Sequence, residues 1–291
     1  AAVTEVRPRR SALYLPGSNL RALEKARTLP TDVLLLDIED AVAPDKKPLA
    51  RGQIVEALAA GGYGRRELVV RVNGLASPWW ADDVRAVAPL ADAILIPKAE
   101  SSDDVRTLSA LAGDVCGERG LPPPSVWCMV ETPRGVLRAE ELAACAQVDC
   151  LVAGTSDLSA DLRCDGSWEE RAALLPSLSL IVLAARAHGK AVLDGVHLDL
   201  KDDDGFARAC TQGSKMGFDG KTLIHPRTID AANAAFAPSG ADVAHARRVI
   251  DAFAAAADAG SALVVLDGRL VEVLHVREAQ RLVALAEAIG Q

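Results

Sequence analysis

The feature that most constrains this chain is a repeated alternation: short runs rich in Val, Ile and Leu alternate with longer Ala-rich stretches of helical period. Strands are predicted at SALYL (11–15), DVLLLDI (32–38), ELVVRVN (67–73), DAILIPK (92–98), SVWCMVE (125–131), DCLVAG (149–154), KAVLDG (190–195) and FDGKTLI (218–224). Helices are predicted near 19–28, 46–60, 78–88, 101–116, 134–146, 168–188, 201–213 and 226–236, several opening on Ser, Asp or Pro. Eight such alternations match a (β/α)8 TIM barrel, a fold that commonly needs about 250 residues. No Gly-x-Gly-x-x-Gly turn follows the first strands, which counts against an open dinucleotide-binding sheet. After Phe236 the pattern becomes a helix, a hairpin turning at Asp267-Gly268 and a final helix. The predicted division is therefore a barrel over 1–236 and a helix–hairpin–helix extension over 237–291, fit for a lid or an intersubunit arm.

Composition narrows the function. Aromatic residues are only 3% of the 291, so the core has to be built from Ala, Val, Leu and Ile, as helices packed on a parallel sheet require. With 32 basic and 40 acidic side chains the net charge is −8, which makes nucleic acid and anionic membrane poor partners. No uninterrupted apolar stretch reaches about 18 residues and the first ten lack the apolar run of a signal peptide, so a cytoplasmic protein is expected. The six cysteines show no zinc-site spacing and read as small buried hydrophobes.

Barrel active sites gather at the C-terminal ends of the strands, so the polar residues there matter most. Strand two runs into Asp37-Ile38-Glu39-Asp40, strand three ends Arg71-Val72-Asn73, strand four Pro97-Lys98, strand five Glu131-Thr132, and strand six leads to Gly154-Thr155-Ser156-Asp157. Strands seven and eight add Asp194, Lys221 and His225. Alternation puts Arg71 with Val69 and Asn73, and Glu131 with Trp127 and Met129, so both can face one mouth. Glu131 ends an apolar run, where a lone charge must neutralise, pair or bind a metal. Glu131 and Asp157 form an oxygen-only pair that suits Mg²⁺, with Mn²⁺ as a substitute. The spacing equally allows ion pairs with Arg71 and Lys98 and no metal. Arg71 reads as a clamp for a carboxylate or as the counterion of Glu131. His188, His197, His245 and His275 read as surface or packing residues, Trp79 and Trp80 as cover for the barrel wall, and Asp202-Asp203-Asp204 as a solvated helix start.

Seven strings, RRSALYLPG (9–17), DVLLLDIEDAVAPDKK (32–47), VRVNG (70–74), IPKAE (96–100), VETPRG (130–135), AGTSDLSADL (153–162) and GFDGKTLIHP (217–226), resemble in order the HpcH/HpaI aldolase and citrate lyase beta-subunit superfamily. The tail resembles that of the stand-alone malyl-CoA and citramalyl-CoA lyases. The resemblance implies a Mg²⁺ held by Glu131 and Asp157, with Arg71 and Glu131 contacting substrate. It implies cleavage or formation of a 3-hydroxyacyl-CoA, giving a 2-oxo acid and an acyl-CoA. A thioesterase on the same substrate is the alternative, and an acyl-carrier-dependent subunit of citrate lyase beta type a third. The family's tail Asp, which moves a proton in a neighbouring subunit, is matched here by Glu272, one methylene longer, and the following Pro by Leu274. Glu39 or Asp40 could serve as base instead. Arg10, Lys47 and Lys98 are the candidate cations for coenzyme A phosphates, and the implied assembly is a homo-oligomer, a trimer or hexamer.

Overall fold

The computed structural model describes residues 6–164, 171–258 and 264–290. Eight parallel strands, β1 (Ser11–Pro16), β2 (Val33–Asp37), β3 (Glu67–Arg71), β4 (Ala93–Ile96), β5 (Ser125–Val130), β6 (Val148–Ala153), β7 (Ala191–Asp194) and β8 (Gly220–Leu223), close into one barrel, with β1 paired to β8. Around them lie α1 (Leu20–Lys25), α2 (Lys47–Ala60), α3 (Trp80–Val87), α4 (Ser102–Gly117), α5 (Pro133–Leu137), α6 (Ala139–Ala143), α7 (Thr155–Leu162), α8 (Leu175–Ala187), α9 (Asp203–Met216) and α10 (Ile229–Phe236). The fold is the (β/α)8 TIM barrel expected from the alternation.

Side-chain parity sorts the core into two layers. Val33, Leu35, Val69, Ala93, Leu95, Trp127, Met129, Cys150, Val152 and Leu193 fill the barrel interior, while the intervening residues face the helices. Trp127 supplies most of the bulk at the centre, and the small Ala12, Ala93 and Cys150 leave it room. The N-terminal end is sealed by charge. The Arg9 guanidinium lies over the Trp127 ring at 4.9 Å and binds Glu67 through Nε and Nη2, and Arg10 binds Asp32 through two nitrogens at 2.8 and 2.9 Å.

Local chemistry explains most boundaries. Ser101 and Asp104 form a capping box at the start of α4, and the Asp202 carboxylate accepts the Gly205 N–H at the start of α9, so the acidic run there is a helix start. The helix predicted over 134–146 is instead two short ones, broken at Arg138, whose φ of −113° leaves the helical range. α7 was not predicted; its TSDLSADL is polar enough to read as loop. The start of the helix predicted over 168–188 lies partly outside the described residues.

The chain divides into two compact units, the barrel Arg9–Phe236 and a second containing the segment from Ala237 onward. In the latter, α11 (Gly240–Asp258), the antiparallel pair β9 (Val264–Leu266) and β10 (Arg269–Val271), and α12 (Val273–Ile289) share a small apolar core. Asp267 (φ 50°) and Gly268 (φ 75°) make its turn, and this pair of left-handed residues is what a two-residue hairpin demands. No described helix is long and apolar enough to cross a membrane.

Candidate active site

Strand register builds the site. Asp37, the last residue of β2, lies beside Arg71, the last of β3, and both follow interior residues of the same parity. Arg71 donates from Nε and Nη2 to the two Asp37 oxygens at 2.8 and 2.7 Å, a fork geometry that only arginine provides. Asp37 also accepts the N–H groups of Glu39 and Ala41, which ties the loop after β2 to the strand end. Burial works against the Arg71 charge, but the bonds from Asp37 outweigh it and raise the pKa. The remaining nitrogen, Nη1, lies 3.3 Å from Glu39 Oε2 and 3.6 Å from Asp40 Oδ2, and the guanidinium carbon stands 4.9 Å from the centre of the Tyr14 ring. Arg71 is thus the counterion of Asp37, not of Glu131, and its Nη1 is shared among Glu39, Asp40 and the Met129 Sδ at 3.8 Å.

Glu131 follows β5 and is 2% exposed. Lys98 adopts a left-handed backbone (φ 48°), uncommon for a residue with a side chain, and its N–H meets Glu131 Oε1 at 2.8 Å. The other oxygen takes no hydrogen bond from the described residues. Burial pushes the Glu131 carboxyl up to about 8; the Lys98 N–H pulls the other way and the Asp157 charge adds to the rise. Gly154 makes this seat possible, since a Cβ there would stand 2.3 Å from Glu131 Cβ. Asp157, in the first turn of α7, is half exposed with Lys98 Nζ 3.7 Å away, and burial and the Asp157 and Glu131 charges act on that lysine with a net raised pKa. Burial also lifts Glu39, to about 7; Arg71 counteracts it and Asp40 and Asp37 reinforce it.

A cavity of about 340 Å³ is lined by Asp37, Asp40, Arg71, Glu131 and Asp157 together with the apolar Val196, Leu198 and Ile224. Leu198 and Ile224 are exposed, so the lining joins charged groups with apolar ones open to solvent. The donor set fits Mg²⁺. Among the described residues no three His, Cys, Asp or Glu gather into a closed cage, and this ion is typically held by one or two carboxylates, its other positions left to water and substrate oxygens. The unpaired oxygen of buried Glu131, beside Asp157, is where a divalent charge would relieve the cost of burial.

Other expected residues are placed elsewhere. Arg10 is paired with Asp32 at the N-terminal end of the barrel, opposite the mouth, because it precedes β1, where Asp32 precedes β2. Lys47 donates to the carbonyls of Ile38 and Glu39 and lies over the Trp79 ring at 5.4 Å, so its charge is spent on fastening the β2–α2 loop. Asp194 and Lys221 have the outward parity of β7 and β8: they are fully buried beneath the helices, with Arg171 as a second partner of Asp194 at 2.7 Å. These two cations hold Asp194 below the ordinary carboxylate range against the effect of burial. Asn73 turns to Asp83, and His225 accepts the Arg227 N–H as a cap. His188 pairs with Glu140 on the surface, His245 lies by Asp267, and His197 packs edge-on against Phe206. Glu272 lies in the second unit at the N-cap of α12, where its backbone N–H donates to His275 Nδ1 at 2.9 Å and its carbonyl accepts the His275 N–H at 3.0 Å. Asp37 and Gly154 stood among the strand-end residues in the sequence but without a role, and Tyr14 was not singled out. The period-2 parity that selected Arg71 could have placed Asp37 and Tyr14; nothing in the sequence alone reveals what Gly154 does.

Residues 10–226 match the HpcH/HpaI aldolase/citrate lyase family. The chain is 45% identical over 287 residues to a (3S)-malyl-CoA thioesterase of Cereibacter sphaeroides, covering 98% of this chain and 97% of that one. It is 34% identical over 306 residues to an L-malyl-CoA/beta-methylmalyl-CoA lyase of the same species, covering 98% and 96%. Among solved structures it is similar to CitE from Mycobacterium tuberculosis in complex with magnesium, acetoacetate and coenzyme A, with a TM-score of 0.75 and 29% identity, covering 98% of this chain and all (100%) of that one.

Proposed function

The chain belongs to the HpcH/HpaI aldolase/citrate lyase family, and from that premise we propose that it is a Mg²⁺-dependent enzyme that hydrolyses the coenzyme A thioester of a small hydroxy acid such as malyl-CoA. The observation that carries the choice of hydrolysis is the 45% identity, over nearly the full length of both chains, to a (3S)-malyl-CoA thioesterase. A bound Mg²⁺ at Glu131 and Asp157 would supply Lewis-acid polarisation and a template for the carboxylate and hydroxyl oxygens of the substrate. Arg71, which lines the cavity, would stabilise the oxygen that becomes negative as the thioester carbonyl is attacked, its Nη1 turning from Glu39 to that oxygen. Glu39, raised to about 7 chiefly by burial and 3.3 Å from Arg71 Nη1 just behind the cavity lining, would take the proton of the attacking water; the carbon–sulfur bond breaks, and the thiolate leaves to be protonated. The net reaction is thioester plus water to hydroxy acid plus thiol.

The same wall could serve carbon–carbon cleavage, and the 34% identity to a lyase favours that second reading. Cleavage needs a proton delivered to the acyl enolate carbon. Glu272, the position matching the family's tail acid, stands exposed at the start of α12, and to deliver that proton it would have to act in a neighbouring subunit of a trimer or hexamer. Mass detection after incubation of hydroxyacyl-CoA thioesters with Mg²⁺ separates the readings. Hydroxy acid with free coenzyme A is expected, whereas a 2-oxo acid with acyl-CoA, lost in Glu272→Ala, would establish the lyase. Glu131→Gln and Asp157→Asn are both expected to lose Mg²⁺ affinity in calorimetry and Mg²⁺-dependent turnover, with the fold retained.

A further inference from the structure

One cation at the barrel mouth acts from both of its ends. Lys98 follows β4; its backbone N–H meets Glu131 Oε1 at 2.8 Å, and its ammonium stands 3.7 Å from Asp157 Oδ1. The two carboxylates that fit a divalent ion are thus tied to a single residue. Burial works against the Lys98 charge, while Asp157, Glu131, Glu39 and Asp40 all favour it. Its φ of 48° is a conformation that glycine adopts freely and that a residue with a side chain adopts at a cost. A glycine would offer Glu131 the same N–H without that cost, so the strain at this position goes with the ammonium.

The ammonium is held loosely. At 3.7 Å it attracts Asp157 but makes no hydrogen bond to it, nor to any other described residue. The buried pairs of the barrel are tighter, with Arg71 on Asp37 at 2.7 Å and Lys221 on Asp194 at 3.1 Å. Lys98 and Asp157 are instead 49% and 42% exposed, and an open pair of this kind costs little to exchange. The side chain also has a second place to stand. Lys98 lines a neighbouring cavity of about 360 Å³ with Glu100, Ser101 and Asp104. There Glu100 Oε2 has Arg134 Nε 3.8 Å away as its ion-pair partner among the described residues, which leaves room for another cation.

We propose that the Lys98 ammonium is the chain's own counter-ion for the Glu131–Asp157 pair, displaced toward Glu100 when a divalent ion binds there, so that Lys98 sets how tightly the site takes Mg²⁺. The inference rests on the Mg²⁺ reading of that pair. An ammonium and a divalent ion on one carboxylate repel each other, so uptake of the ion has to overcome the resident charge. In exchange, the two carboxylates are not left facing each other without a cation when the ion is gone. Lys98 is therefore a positioning residue, which touches the carboxylates and not the substrate.

Lys98→Met removes the ammonium and keeps both the aliphatic stem and the backbone N–H to Glu131. Mg²⁺ affinity by calorimetry is expected to tighten by about fivefold, the upper worth of an exposed ion pair, and the metal-free melting temperature is expected to fall. Lys98→Arg keeps the charge and is expected to hold the wild-type affinity. So is Lys215→Met, which removes an exposed charge in the last turn of α9, at the N-terminal end of the barrel. High salt is expected to narrow the difference between Lys98→Met and wild type. A gain of affinity on losing a side chain is not what a merely structural lysine gives. Unchanged or weaker Mg²⁺ binding in Lys98→Met, or an equal gain in Lys215→Met, would overturn the inference and leave the Mg²⁺ reading standing. A wild-type protein that takes up no Mg²⁺ would overturn both.

Discussion

Gly154→Ala is the sharpest test of where Glu131 must stand. Gly154 has φ −99° and ψ 81°, which alanine can adopt, so the obstacle is space alone. The added Cβ would lie 2.3 Å from Glu131 Cβ, 2.7 Å from Oε2 and 3.3 Å from Cα. Non-bonded carbons settle at about 3.5–4.0 Å, so the ends of β5 and β6 have to part by more than about 1 Å. Turning the carboxyl aside does not help, because the nearest atom is the root of the side chain. Parting also stretches the Gly154 N–H bond to the Val130 carbonyl, now 3.0 Å. Overpacking of this kind costs about 1–3 kcal/mol in stability. A displacement of about 1 Å at a reacting centre can cost on the order of 100-fold in rate. Gly113→Ala in α4 is the control: nothing lies within 4 Å of its Cβ, and the same change in a helix stabilises by roughly 0.5–1 kcal/mol. Urea melts on the two variants are expected to move in opposite directions from wild type, while Mg²⁺ affinity and kcat/KM fall in Gly154→Ala and stay at the wild-type value in Gly113→Ala. Unchanged Mg²⁺ affinity and rate in Gly154→Ala would refute the claim that the carboxylate has to occupy this seat.

Two further perturbations probe the charged wall. Arg71→Lys loses one of the paired bonds to buried Asp37; the expected cost is about 1.5–3 kcal/mol for a charged hydrogen bond, together with a fall in kcat of roughly 100- to 1,000-fold, and a variant matching wild type in both urea melts and turnover would break the argument. Glu39 is raised by burial from 4.5 to about 7, so the folded state holds its proton more tightly than the unfolded chain does. Its contribution to stability is complete below the unfolded value and is lost as pH rises through about 7, so Glu39→Gln, fixed in the neutral form, is expected to gain stability relative to wild type as metal-free melts are moved from pH 5 to pH 8. Parallel pH profiles for the two proteins would show that Glu39 is not the titrating group.

Much of this was legible because strand parity is a strict rule. The alternation that set Glu131 beside Trp127 and Met129 is the one the barrel uses, and the Asp267-Gly268 turn follows from the left-handed backbone that a two-residue hairpin needs. The failures came where the rule was not carried through. Asp194 and Lys221 follow or adjoin interior positions of β7 and β8 and so had to face the helices, where they form a buried pair. Arg10 lies before its strand, at the wrong end of a parallel barrel for any ligand of the mouth. Lys47 could not have been placed from sequence, because its role depends on two carbonyls exposed by the bend after β2. The left-handed Lys98 was equally hidden, since the sequence offers no glycine there to announce it.

The charge of the mouth bears directly on what it can bind. Asp37, Asp40, Glu131 and Asp157 line the cavity against Arg71, four carboxyls to one cation among the described residues, with Glu39 and Lys98 behind them as ion-pair partners of Arg71 and Asp157. Arg71 is largely neutralised by Asp37, and burial, reinforced by the neighbouring carboxylates, raises both Glu39 and Glu131. A hydroxy-acid carboxylate approaching this wall alone would meet like charge. A divalent cation at Glu131 and Asp157 changes the sign of that encounter and competes with the proton on Glu131, so substrate affinity is expected to be nearly absent without Mg²⁺ rather than merely weakened. Malate calorimetry in the presence of EDTA, set against the same titration with Mg²⁺, tests this coupling; tight binding without the ion would mean that the wall recognises its ligand through Arg71 and Lys98 alone.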